Sequence, residues 1–382
     1  MKKLKYIQII AFLAIIGGLS IGSFTAGDRE FSENENRYLA KAPRWSVSNI
    51  FNCSFQDDAE DYLKDQVLFR DEWITVKTFF QKLSGNTDIG GAYVGKDGYD
   101  FEKITPDDVD ESQIVKNTKA VNDYFAFCAN TIDRQRLNFM IVPTSGLVYK
   151  DKLPRNAILF NQEECIDGII SGIDSGNVID ARDSLVDSKE NYLYYKTDHH
   201  WTTDGAFLAS NQWRAAVGKS LIDKEAVNED VVTKKFRGSL YSKILDADSA
   251  YDSISVINRE DAQSYTVMAD GKDIGGFYQD SKLTEKDKYA YFFGGNYGEV
   301  TIHNNNNTGT GNLLVVKDSF ANSFVPLIAE EYENVYMIDL RYYAGDMSQY
   351  IADNNITDVL VLYNVSNFIS DKNIFKLSKN LK

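Results

Sequence analysis

Cysteine, histidine and basic residues are all scarce in this 382-residue chain. The three cysteines, Cys53, Cys128 and Cys165, show no CxxC spacing, which excludes a zinc knuckle and a disulfide framework. At most one internal disulfide is available, and the odd count implies that none is structurally required. Lys plus Arg number 41 against 56 Asp plus Glu, a formal charge of −15. That field repels phosphate backbones, so no nucleic acid is expected as a partner. With three histidines in all, any mechanism using a histidine base must draw on His199, His200 or His303. No internal repeat or long low-complexity tract is visible. Hydrophobic residues at 43% and charged residues at 25% fit neither wholesale disorder nor a polytopic membrane protein.

One long uncharged run is present. Lys2, Lys3 and Lys5 precede residues 6–27, which would reach about 33 Å as a helix, enough to cross a bilayer. The same run has the basic and apolar regions of a signal peptide, but no clean A-x-A site follows it. No lipobox cysteine lies near its end. Residues 1–27 therefore read as a signal anchor, with a cleaved signal peptide as the alternative. Either way the positive flank stays inside and everything after Asp28 is exported, which predicts the extracytoplasmic face of the cell membrane.

Residues 28–110 form a lead-in. Residues 28 to about 50 are polar and extended, and the apolar spacing from Phe55 to Leu83 predicts helices with a break near Arg70 and Asp71. The segment 89–99 predicts a hairpin with Asp97-Gly98 as its turn. Helical spacing resumes over 111–130. Five short apolar runs follow, each ending in polar residues: Asn138 to Thr144, Asn177 to Arg182, Asn312 to Ser319, Asn334 to Arg341 and Thr357 to Asn364. They predict buried parallel strands in an α/β sheet flanked by helices, with ligands beyond the carboxyl ends. Thr144, Asp180, Ser319, Arg341 and Asn364 would share that rim. Residues of about 231–310 read as a β-rich insertion.

The segment Tyr194 to Gly205 carries the chemistry. Asp198 and His200 stand at i and i+2, so in an extended segment they face the same way. Asp198 would take the Nδ1 hydrogen of His200 and leave Nε2 free to accept a proton. His199 would point elsewhere. Thr202 or Thr203 can cap the following helix. A polar histidine pair with no catalytic role is the competing reading. The candidate nucleophile is Ser319, after an apolar strand and before an apparent helix whose amides would hold an oxyanion; a plain N-cap serine is its competing reading. A serine, a histidine and an aspartate on one predicted rim weigh more than any of them alone.

Asp198-His199-His200-Trp201 is the motif of the DHHW protein family. The chain resembles that family and the related SGNH-like polysaccharide O-acetyltransferases of the alginate AlgX and AlgJ type. The resemblance runs through Phe31 to Arg37, Asp65 to Trp73, Val142-Pro143-Thr144, Gly238 to Lys243, Lys317 to Phe320 and Ile338 to Tyr343. It implies an SGNH-hydrolase-like catalytic domain over residues 111–382, with Asp198, His200 and Ser319 as its catalytic residues. The doubled histidine departs from the Asp-Thr-His-Trp of the alginate proteins, and the i, i+2 spacing assigns the base to His200. No equivalent of the alginate-type carbohydrate-binding module is evident after Ser319, so polymer binding would rest on the catalytic domain or its partners.

Four further residues are candidates for substrate or oxyanion contacts. Arg341 follows a strand and would steady an oxyanion or a sugar carboxylate, unless a neighbouring acid holds it. Thr144 and Asn364 are rim positions. Trp201 would pack against a sugar face or wedge the catalytic loop. His303 reads as a packed or surface histidine. Metal binding is disfavoured, because adjacent histidines in extended chain diverge and no third ligand is in evidence.

The resulting expectation is an extracytoplasmic O-acetyltransferase that passes acetyl groups through Ser319 to hydroxyls of an exported or cell-surface polysaccharide. No cofactor is expected. The resemblance implies the polysaccharide acceptor and a membrane-bound O-acyltransferase that supplies the acetyl group; residues 6–27 would contact the cytoplasmic membrane. A carbohydrate acetylesterase and a non-catalytic glycan-binding envelope component are the alternatives.

Overall fold

The computed structural model describes residues 2–32, 34, 35, 37–258 and 264–381. The chain divides into two units, one of Met1–Gly90 with Tyr241–Ser249, the other of Gly91–Leu240 with Ala250–Lys382.

The first unit opens with helix Lys2–Thr25, whose Tyr6–Thr25 portion is long and apolar enough to cross a membrane. Two further helices, Ser54–Gln66 and Arg70–Leu83, follow. The break between them falls at Val67 to Phe69, and Phe69 takes a left-handed conformation at φ 59°. Asp65 ties the lead-in to the first of these helices by accepting from Arg37 Nη1 and Nη2 at 2.8 and 2.5 Å and from Ala40 N at 2.8 Å.

The second unit is built on eight strands: β1 (Leu137–Val142), β2 (Asn177–Asp180), β3 (Tyr265–Ala269), β4 (Lys272–Asp273), β5 (Glu299–Asn304), β6 (Asn312–Lys317), β7 (Asn334–Ile338) and β8 (Asp358–Asn364). Their order is β4-β3-β5-β7-β6-β8-β1-β2. The five apolar runs read from sequence are β1, β2, β6, β7 and β8, and they pair in parallel. The expected parallel sheet is in fact mixed, because β5 joins β7 antiparallel and β3 and β4 continue outward antiparallel. Those three strands come from the segment read as an insertion, so its second half extends the main sheet. Its first half forms the antiparallel pair Asn228–Phe236 and Asp252–Asn258, while Tyr241–Ser249 between them belongs to the first unit. Residues 259–263 of the expected insertion lie outside the described residues.

Alternation along the strands divides the apolar residues between two faces. Met140, Val142, Leu313, Val315, Leu360 and Leu362 share one core with Trp201, Trp213 and Phe324. Phe139, Ile141, Leu314, Val316, Val359 and Val361 share the other with residues of helices Glu111–Cys128 and Gln162–Gly172. With both faces covered, a strand such as β8 is buried at every position, which is why these runs lack polar alternation. The hairpin of Ala92–Val94 and Asp100–Glu102 belongs to the first of these cores through Tyr93, Tyr99 and Phe101. The second unit begins at Gly91. Asp97 and Gly98 both have positive φ, 58° and 79°, as the expected tight turn requires.

Candidate active site

Ser319 lies just past the carboxyl end of β6. The preceding Asp318 fixes the turn: its Oδ1 accepts from Phe320 N at 2.9 Å, and its Oδ2 accepts from Asn364 N and Asn367 Nδ2, both at 2.8 Å. The end of β6 is thus pinned to the end of neighbouring β8. The helix expected after Ser319 is a single turn, Ala321–Phe324. The dipole of so short a helix is too weak to stabilise an oxyanion strongly.

Asp198 and His200 arrive on a bent segment closed by a bridge between Tyr194 and Trp201. Buried Asp252 holds the segment by accepting from Lys196 N and Thr197 N at 2.8 Å and from Thr197 Oγ1 at 2.5 Å. Thr202 then caps helix Thr203–Ala216 by accepting from Gly205 N at 3.3 Å. The base candidate is therefore seated at the entrance of a fourteen-residue helix packed into the core.

His200 Nδ1 donates to Asp198 Oδ1 at 2.6 Å, and Ser319 Oγ donates to His200 Nε2 at 2.7 Å. Asp198 also accepts from His200 N at 3.0 Å and, through Oδ2, from Ser239 N at 2.7 Å. All three side chains are buried. Burial acts against the Asp198 charge, but the imidazoles of His200 and His199 and the surrounding hydrogen bonds outweigh it and hold the carboxyl well below its usual range. Burial, and then His199, push His200 below the ordinary imidazole value against the pull of Asp198. At neutral pH the arrangement is a carboxylate, a neutral imidazole and a hydroxyl, the resting state that nucleophilic catalysis by serine needs.

The His200 ring is held from both sides. Tyr289 stacks on it at 3.8 Å with a 10° interplanar angle, and His199 lies at 3.9 Å. Tyr289 also donates its hydroxyl to Ser319 O at 3.0 Å, so one side chain touches His200 and Ser319 together. His199 does not point away as expected. The chain bends through residues 197–200, and His199 Nδ1 shares a 2.6 Å hydrogen bond with Ser239 Oγ. Asp198, His199 and His200 consequently bring potential ligand atoms within 4.8 Å of one another, against the expectation that the two histidines diverge. Both His200 nitrogens and both Asp198 oxygens are already engaged, however, so a cation there would have to displace the contacts to Ser319 and Ser239.

The other sequence candidates fall apart from this trio in their bonding. Trp201 is fully buried, with Nε1 donating to Phe320 O and Ser323 Oγ at 3.0 Å; it wedges the loop and offers no face to a sugar. Asn364 is fully buried, with Nδ2 donating to Pro143 O at 2.9 Å and Oδ1 accepting from Ser366 N and Ser366 Oγ at 2.9 and 2.7 Å. Thr144 is buried against Gln162, giving its N–H to Oε1 at 3.2 Å and accepting from Nε2 at 2.7 Å. Asp180 is bound by Arg182. Arg341 is partly exposed and forms a two-pronged pair with Asp339 at 2.9 and 2.6 Å. His303 is half-buried on β5, bonded to Asn334 Oδ1 at 2.8 Å.

Sequence reasoning gave no role to Tyr289, Gly238, Ser239 or Asn322. Lys317, buried at the end of β6, donates to Asn322 Oδ1 at 2.8 Å, and Asn322 Nδ2 donates to Asn296 Oδ1 at 3.2 Å. Burial pushes the Lys317 ammonium down to about 8. The KDSF run contained one end of this chain of contacts; Asn322, one turn beyond Ser319, was its readable extension.

Comparison with solved structures shows the same fold elsewhere. A DHHW family protein from Eubacterium siraeum superposes with a TM-score of 0.66 at 21% identity, covering 76% of this chain and 96% of that one. Bacillus cereus PatB1, solved with a sulfonyl adduct, gives a TM-score of 0.63 at 24% identity over 74% of this chain and 99% of that one. The O-acetyltransferase domain of Pseudomonas putida AlgJ matches at 0.49 and 14% identity, over 75% and 98% of the two chains. No curated protein sequence matches significantly. The family model for DHHW protein matches residues 88–338, a span that contains Asp198, His200 and Ser319; the chain belongs to the DHHW protein family.

Proposed function

We propose that the protein is a serine-dependent O-acetyltransferase working outside the cytoplasmic membrane, with a polysaccharide hydroxyl as acceptor. The observation that carries this reading is the unbroken hydrogen-bond line from Asp198 through His200 to Ser319. Ser319 Oγ would attack an acetyl carbonyl while its proton passes to His200 Nε2. The Ser319 N–H and neighbouring donors would hold the resulting oxyanion. Collapse would expel the donor's leaving group with the proton from His200, leaving an acetyl ester on Ser319. A sugar hydroxyl would then give its proton to His200, attack the ester and release the serine. Asp198 stays ionised throughout and stabilises the imidazolium.

Helix Tyr6–Thr25 supports an anchored location on the outer face. No cytosolic thioester is available there, so the donor is assigned to a membrane-bound O-acyltransferase that exports acetyl groups. No cofactor enters the scheme. Arg341 stands as a substrate-carboxylate contact that would have to be drawn away from Asp339.

The test is to supply the detergent-solubilised full chain with an activated acetyl ester and an oligosaccharide. Acetyl ester on the sugar, abolished in Ser319→Ala, is the expected result. Acetate release at a rate indifferent to the sugar would instead assign hydrolysis, since both reactions share the acyl-enzyme and differ only in which hydroxyl reaches it.

A further inference from the structure

Helix Arg70–Leu83 carries its apolar residues on the face turned away from its own unit. Trp73, Val76, Phe80 and Leu83 recur at i, i+3, i+7 and i+10, a single stripe along the helix, with Phe69 just ahead of its first turn, and all five are between 45% and 72% exposed. The opposite face does the packing with polar groups. Thr78 is buried and donates Oγ1 to Ile244 O at 2.6 Å, and Lys82 is ion-paired with Asp246. A contiguous apolar stripe of this kind marks a surface that is covered in use.

The covering partner follows from where the stripe begins. Leu68 N donates to Ser23 Oγ at 2.8 Å, and a Cβ on Gly22 would meet Leu68 Cδ2 at 2.7 Å. Leu68 is therefore packed onto the last turn of the apolar helix that ends at Thr25. Tyr62 donates to Asp28 Oδ1 at 2.6 Å and Arg29 N donates to Gln66 Oε1 at 2.9 Å, closing the same junction. Phe69, the next residue, starts the stripe. With Tyr6–Thr25 spanning a bilayer, its last turn marks the outer lipid boundary, and helix Arg70–Leu83, about 21 Å long, starts at that level.

We infer that helix Arg70–Leu83 lies in the outer membrane–water interface with the Phe69 to Leu83 stripe inserted among the lipids. This rests on the anchor reading of Tyr6–Thr25. Tryptophan and phenylalanine are the side chains that favour this depth. Charge does not drive the contact: helix Ser54–Gln66 exposes Asp57, Asp58, Glu60 and Asp61, and the chain carries −15 overall, which opposes anionic headgroups. Insertion is accordingly apolar, satisfied by zwitterionic lipid and insensitive to salt.

The test uses the full chain reconstituted in phosphatidylcholine vesicles, with Trp73→Phe isolating the Trp73 fluorescence by difference. The expected result is that the Trp73 component is quenched by acyl-brominated phosphatidylcholine, shielded from aqueous iodide, and unchanged between low and high salt. The double variant Val76→Asp with Phe80→Asp is expected to lose both the quenching and the shielding. A Trp73 component open to iodide and untouched by brominated lipid overturns the inference, as does shielding that appears only in native membranes, which would assign the stripe to a protein partner. Resistance of the reconstituted chain to alkaline carbonate extraction is scored in parallel. Extraction by carbonate overturns the anchor reading itself, whereas retention without quenching overturns only the placement of the stripe.

Discussion

A methyl group on Gly238 would stand 2.2 Å from Asp198 Oδ2 and 2.3 Å from Asp198 Cβ. The backbone at Gly238 and Ser239 is wrapped directly against the carboxylate that accepts from His200 Nδ1, with Ser239 N donating to it at 2.7 Å. Gly238 has no positive φ; the missing side chain is needed for close approach. Gly238→Ala must displace Asp198 or the strap. The expected outcome is a loss of stability of about 1–3 kcal/mol, as for other overpacked sites, with acylation of Ser319 slowed by roughly 10²-fold or more as the imidazole loses its orientation. Denaturant unfolding together with acylation rates measures both. Wild-type rates in this variant would sever the link between the strap and the base.

The two adjacent histidines should separate cleanly. His200→Gln removes the proton acceptor of Ser319 and is expected to slow acylation by roughly 10³-fold or more. His199→Gln removes a ring neighbour and the contact to Ser239 Oγ, and should cost about 10-fold or less by the same reckoning. Rates of Ser319 labelling by a sulfonyl fluoride provide the comparison, and equal losses in the two variants would contradict the assignment of the base.

The pH profile follows from burial of His200. The imidazole must be neutral to accept the serine proton, and its folded value lies below the ordinary 6.5. Lowering the value extends the neutral form toward acid, so acylation rises with pH through a midpoint below 6.5 and is flat above it. An acid limb centred above 6.5 would mean that Asp198 dominates over burial.

Tyr289 offers a contrast between its ring and its hydroxyl. Tyr289→Phe keeps the stack on His200 and loses the bond to Ser319 O, for an expected cost of about 0.5–1.5 kcal/mol. It should leave the acid limb in place. Tyr289→Ala uncovers the imidazole to water and is expected to move that limb toward 6.5 as well as to slow acylation. Pairing pH–rate profiles with unfolding curves distinguishes the two effects; identical profiles for both variants would deny the ring any part in setting the base.

Much of the architecture was written locally. The five parallel strands announce themselves because burial on both faces removes polar alternation, and the rim follows from their carboxyl ends. Asp198 and His200 are two residues apart, so their contact needed no long-range information, and Ser319 was reached through the strand before it. What depended on distant packing was not legible. Tyr289 comes from the Tyr- and Gly-rich stretch that gave only a β-rich signal, and nothing periodic marks a residue that stacks on a ring 89 positions earlier; Gly238 stood within a segment of the family resemblance, but its approach to Asp198 depends on distant packing. Positions on the rim also proved easier to read than side-chain direction. Asn364 and Thr144 stand at strand ends, yet their polar atoms turn inward to Pro143, Ser366 and Gln162. His199 departs from the direction an extended segment would give it because the chain bends through residues 197–200.

The most direct measurement is intact-protein and peptide mass spectrometry of the full chain after exposure to an activated acetyl ester, with Ser319→Ala alongside. One added acetyl group, mapped to Ser319 and absent from the variant, is the expected result. An adduct on another residue, or equal labelling of wild type and Ser319→Ala, would contradict the acyl-enzyme at the centre of the proposed function.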